Sequence, residues 1–245
     1  TNGIEEKIGE VTIQNNKLCF DMASYRPKTF AVRLKKGNVK AAPIKNIPLQ
    51  LPFNSKAFTP ENFGYTVSFD KKGNSFAAEL IGDKVTCDNI TFSIADHENK
   101  NVIKCKGDTI QLPKEAAGKK LYILAASTDK DRKSTFLVNG KSHEFEIPYY
   151  SGFYGQWGHK GVSDGYIRNA SLAYIGSHRH TEKGNDTYIY TYMYKLGIEL
   201  PQEAHTLVLP KDENIAVFAI TLSDNYIDDI STANEMRTLP LEVSK

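Results

Sequence analysis

The sequence predicts an all-β protein, an antiparallel β-sandwich, from three observations. Apolar and polar residues alternate along many short stretches, the period-2 pattern of half-buried strands. Turn-forming pairs such as Asn139-Gly140 separate those stretches. Helical periodicity is confined to one short candidate over residues 228–237. Many short strands punctuated by turns fold as a sandwich.

Taken in order, residues 9–20 read as a hairpin, with Val11 and Ile13 alternating before Asn15-Asn16 and Leu18 and Phe20 after it. Residues 24–34 read as a strand with Pro27 near its start, where a missing N–H costs little. Pro43, Pro48 and Pro52 then mark an extended connector. The expected organisation is therefore the end of a preceding β-sandwich over 1–36, or a strand that this segment donates to the main domain, then a Pro-rich connector over 37–52 and a large terminal sandwich over 53–245.

Within the large domain, residues 71–74 (Lys-Lys-Gly-Asn) form a turn and 76–80 a strand. Residues 84–94 alternate through Val85, Cys87, Ile90, Phe92 and Ile94. Residues 101–112 carry Gly107, placed for a bulge. The apolar run 121–127 predicts a strand covered on both faces. Residues 134–138 and 143–147 flank Asn139-Gly140, the strongest hairpin signal in the chain. Over 187–195, Tyr188, Tyr190, Tyr192 and Tyr194 share one face and Ile189, Thr191 and Met193 the other. Residues 205–209 and 215–222 complete the pattern.

Composition narrows the function classes. A net charge of +2 over 245 residues, with scattered Lys and Arg, argues against nucleic acid as a partner. No apolar run approaches the ~20 residues of a membrane-spanning helix, so no membrane partner is expected. The start, Thr1-Asn2-Gly3, has no export-signal pattern and no initiator Met, and the chain reads as cut from something longer or processed. The compartment (periplasmic, secreted or cytoplasmic) is not encoded in it. Cys19, Cys87 and Cys105 form no Cys-x-x-Cys pair and are expected to be reduced packing residues.

The chain is organised around residues 145–195, which hold nine of its thirteen tyrosines and its one tryptophan. Trp157, with Gln156 and neighbouring tyrosines, fits either a sugar-stacking platform or a packed seam. In His178-Arg179-His180, the two imidazoles share a face on a strand. That pair serves a polar contact with a ligand or a neighbouring domain, or hydrogen-bonds loop carbonyls while Arg179 pairs with a carboxylate, or binds metal. Spacing supplies no third ligand, so no metal site and no cofactor are assigned to this segment. Glu79, Asp164, Glu182 and Asp186 are acids that a hydrolase would need in pairs, and spacing pairs none of them. No catalytic residue is assigned.

Several segments, in order, resemble the C-terminal β region of glycoside hydrolase family 38, the α-mannosidases, especially bacterial ones. They are LCFDMASYRPKTFAVRL (18–34), NSFAAELI (74–81), NVIKCKGDTIQLP (101–113), KLYILAAS (120–127), YYSGFYGQWG (149–158), residues 172–201 with H-R-H, and TLVLPKDENIAVFAITL (206–222). The resemblance implies a non-catalytic β region whose parent cleaves α-mannosides with retention. The nucleophile and a zinc ion would lie in a catalytic domain outside this chain, and that domain and a mannose-containing carbohydrate would be its partners. Gln156, Trp157, His178, Arg179, His180 and Asn185 would then sit in loops near the sugar or at the domain interface. The alternative is a free-standing carbohydrate-binding module.

Overall fold

A computed structural model describes residues 6–14, 17–18, 20–21, 23, 28–31, 43–61, 67–152 and 170–225. The chain forms two units, Thr1–Ala42 and Pro43–Lys245. In the first, strands β1 (Ile13–Gln14) and β2 (Lys17–Leu18) pair antiparallel, as the hairpin pattern predicts. Asn15-Asn16 and most of the strand expected over 24–34 lie outside the described residues.

The second unit is the β-sandwich. In chain order its strands are β3 (Asn46–Pro48), β4 (Phe58–Thr59), β5 (Ser75–Ala77), β6 (Lys84–Cys87), β7 (Ile90–Ser93), β8 (Ile103–Lys104) and β9 (Thr109–Gln111). These are followed by β10 (Lys120–Ser127), β11 (Arg132–Val138), β12 (Lys141–Ile147), β13 (Ser151–Gly152), β14 (Ser171–Thr181), β15 (Gly184–Glu199), β16 (Thr206–Val208) and β17 (Ile215–Ser223). The main sheet runs β3-β17-β10-β15-β14-β5-β4, with β13 added beside β15 and β8 beside β17. Its pairs are antiparallel except β4 with β5. A second sheet runs β12-β11-β16-β9, and β6 and β7 form a separate hairpin.

Burial explains the layering. Every residue of β10 and β17 is buried. In β10, Tyr122, Leu124 and Ala126 enter one core while Leu121, Ile123 and Ala125 enter the other. The first core also takes Phe58, Phe69, Phe76, Val85 and Phe92. The second takes Ile110, Phe136, Val138, Ile147 and Leu207 from the second sheet. The run 121–127 is thus the predicted strand covered on both faces, at the middle of the main sheet.

Details depart from the sequence pattern for local reasons. Asn46–Pro48, within the expected connector, pairs with β17 as an edge strand, where Pro48 needs no N–H. The compact unit accordingly starts at Pro43 rather than Phe53. The alternation over 84–94 is two strands, because Asp88 and Asn89 take positive φ (51° and 62°) and close a two-residue turn. Asn139 (48°) and Gly140 (81°) close the predicted hairpin in the same way. The strand expected over 76–80 stops at Ala77, and a 3-10 turn over Ala78–Leu80 follows. The tyrosine ladder is shorter than its pattern. Tyr188 (φ 67°) is 75% exposed, while Tyr192 and Tyr194 enter the first core together with Met193. The candidate helix over 228–237 lies outside the described residues. Cys87 and Cys105 are free thiols; Cys105 is buried, Cys87 is partly exposed, and Cys19 lies outside the described residues. No helix among the described residues is long and apolar enough to cross a membrane.

Phe218 is fully buried against Phe58, Phe69 and Phe76, with centroids 6.1, 5.8 and 5.3 Å away. Phe218→Ala is expected to cost about 3–5 kcal/mol in urea denaturation, from lost transfer energy and the cavity left. Ile175→Ala, at a residue 55% exposed, should change stability by no more than ~0.5 kcal/mol.

Candidate functional site

β14 has an inward and an outward face. Ile175 and Ser177 are exposed, whereas Tyr174, Gly176, His178 and His180 are buried or half-buried. His180 lies opposite Ser75 in the pairing of β14 with β5, and the 3-10 turn after β5 brings Glu79 to the same place. His178 Nε2 is 3.0 Å and His180 Nε2 2.9 Å from one atom, Glu79 Oε1. The imidazoles stack with centroids 5.5 Å apart. The other nitrogens have hydroxyl neighbours: His180 Nδ1 is 2.9 Å from Thr59 Oγ1, and His178 Nδ1 is 3.3 Å from Ser177 Oγ. Thr59 and Ser75 hydroxyls share a further hydrogen bond within the core.

Two buried hydroxyls lie along the same face. Thr191, opposite Gly176, is fully buried, and its hydroxyl neighbours that of Tyr174, which it holds back slightly from a higher pKa by hydrogen bonding. Burial, and then the Glu79 carboxylate, push the Tyr174 phenol up to about 12, so it is neutral at physiological pH. Gly176 is required here, because a Cβ would meet Thr191 Oγ1 at 2.4 Å and Tyr174 Oη at 2.8 Å.

A second site is a polar cavity of about 320 Å³, lined by Asn54, Ser68, Phe69, Asp70, Lys104 and Asn214 among others. The Asp70 carboxylate accepts from the Lys72 and Asn74 backbone N–H groups, the Asn74 side chain and the Tyr150 hydroxyl. The Lys104 ammonium lies 4.4 Å from the centroid of the Phe69 ring and donates to the Phe69 carbonyl. Burial lowers Lys104 to about 8, against the opposing pull of the Asp70 and Glu213 carboxylates.

The structure brings His178, His180 and Glu79 together. Arg179 points elsewhere and pairs with Asp186 across the β14–β15 hairpin, Nε to Oδ2 at 2.8 Å. The histidines bond a carboxylate rather than loop carbonyls. Asn185 is exposed near the hairpin turn, opposite His180 in register. Gln156, Trp157 and Asp164 lie outside the described residues. Glu79 entered the sequence reading only as one acid among many, because it follows a strand end by a turn that periodicity does not show. Tyr174, Thr191 and Lys104 had no sequence signal beyond an ordinary strand pattern.

The fold has a named family. A family model for the AziU2-like beta-sandwich domain matches residues 45–226, most of the chain, and the chain belongs to that family. The match begins at the edge strand β3 and ends just past β17, so it coincides with the sandwich. No curated protein matches the chain.

Lys104 gives the sandwich a pH signature. In the folded chain it loses its proton near pH 8, and in the unfolded chain near 10.5. Between those values the unfolded state binds more protons, so this group adds stability as pH rises from about 8 to 10.5 and burdens the fold below 8. Lys104→Met should remove that rise. The difference in unfolding free energy between the two proteins should shrink or reverse by on the order of 1–3 kcal/mol across the window, read by urea denaturation at pH 7 and pH 10.

Proposed function

We propose that this sandwich is a non-catalytic β domain serving a retaining, zinc-dependent glycoside hydrolase of the α-mannosidase type, with catalysis in a separate domain. The observation that carries the reading is what its acids do. Asp70 is saturated by four donors. Asp129 and Asp212 are held by Arg132, which keeps Asp129 near 2. Asp186 is held by Arg179, Asp88 by Lys195, and Glu79 by two imidazoles. A glycosidase needs one carboxyl free to donate a proton and another free to attack or to activate water. These carboxylates are committed to holding strands and turns. The link to mannosides rests on the resemblance of the ordered segments to the family 38 β region.

The polar cavity favours a second role, carbohydrate binding. Its volume is at the lower end of ligand sites, and its lining includes the polar side chains of Lys104, Ser68 and Asn214, a composition compatible with sugar hydroxyls.

Two measurements test these readings. The purified chain, supplied with zinc, should leave an aryl α-mannoside uncleaved; turnover abolished by Glu79→Gln or Asp186→Asn would contradict the non-catalytic reading. Calorimetric titration with mannose and α-mannobiose should give binding weakened at least tenfold in Lys104→Met. No heat of binding would remove the carbohydrate role.

A further inference from the structure

We propose, independently of any role in a mannosidase, that Glu79, His178 and His180 form a site for one divalent transition-metal ion, with zinc the best-matched probe. Each residue offers one ligand atom, and those atoms lie within 4.8 Å of one another. Two imidazole nitrogens with one carboxylate oxygen suit zinc, copper, iron or nickel rather than magnesium or calcium, which prefer oxygen. Three protein donors leave a fourth tetrahedral position for water.

The geometry is near what an ion requires. Ligand bonds of about 2.0–2.2 Å place tetrahedral donors roughly 3.3–3.5 Å apart. The two Glu79–histidine distances are 3.0 and 2.9 Å, so the carboxylate retreats by a few tenths of an ångström while the imidazole nitrogens, within 4.8 Å of one another, settle to the tetrahedral spacing. Glu79 is free to do so, on a short surface turn with its side chain 28% exposed. His180 is 6% and His178 14% exposed, so the site is recessed yet open on one side.

The surroundings are built as those of metal-binding histidines are. Such a histidine donates its second ring N–H to a neighbouring acceptor, which fixes the tautomer and aims the other nitrogen at the ion. Thr59, itself 3% exposed and tied to Ser75, stands 2.9 Å from His180 Nδ1, where its hydroxyl oxygen accepts such a bond once Nε2 is turned to the ion.

The test is zinc titration of the chelator-stripped 245-residue chain by calorimetry, with bound metal counted by mass spectrometry and cobalt(II) substituted for its absorption spectrum. The expected result is one zinc per chain and a tetrahedral cobalt spectrum. Zinc should raise the thermal midpoint of the native sequence, and Glu79→Gln and His178→Gln should each weaken affinity at least 100-fold. If circular dichroism shows either variant misfolded, Thr59→Val replaces it, with a 10- to 100-fold loss expected from its role behind His180. Absence of stoichiometric zinc, or an affinity unchanged within threefold in the folded variants, overturns the proposal and leaves a carboxylate clamped by two imidazoles.

Discussion

Everything in the sandwich hangs on the pairing of two strands that never reach water. β10 and β17 lie side by side, with each residue buried and side chains alternating between two cores. Each large apolar side chain buried this way contributes on the order of 1.5–3 kcal/mol, and both cores draw on the same backbone. The alternation is not perfect. Between Leu124 and Ala125 the register slips, and Phe218 becomes the extra residue of a bulge. Phe218 and Ala219 therefore enter the same core, and the aromatic cluster of Phe58, Phe69 and Phe76 gathers around Phe218.

From that pair the sheet extends outward and becomes progressively more polar. β15 follows β10 with its C-terminal half buried, and β14 follows β15. At β14 the inward face changes from apolar contacts to Tyr174, His178 and His180, beneath which Thr59, Ser75 and Thr191 are buried. Hydroxyls and imidazoles are tolerated there because they bond one another, and Tyr174 and Thr191 meet at the position where Gly176 has no side chain. Rigid strands hold the two histidines, and only Glu79 stands on a turn. The site is thus preorganised on one side and adjustable on the other.

Much of the fold was legible in the residues themselves. Asn139-Gly140 marked its hairpin because only a few residue types accept two positive φ values in succession. The run 121–127 marked the central strand because a strand covered twice has no polar face to alternate with. The misses share a cause: tertiary contacts choose among conformations the local pattern allows equally. Asp88-Asn89 read as part of one alternating strand, yet it is a turn. Lys195, at the end of the tyrosine ladder, carried no signal of burial in the sequence. Its side chain is 1% exposed, its ammonium meets Asp88 at 2.6 Å, and it lies 5.6 Å from the Tyr122 ring centroid. Of the candidate site, the shared face of His178 and His180 followed from strand geometry, while Glu79, about a hundred residues earlier, followed from nothing local.

Native-state hydrogen exchange tests the central claim most directly. If two shared strands carry both cores, the amides of β10 and β17 should be the slowest in the protein, exchanging only through global unfolding and with its full free energy. The β6–β7 and β11–β12 hairpins should exchange by smaller, cheaper openings. Exchange of β10 and β17 as fast as either hairpin, or two groups of slow amides with different opening energies on the two sides of the main sheet, would contradict a single pair of strands organising the whole.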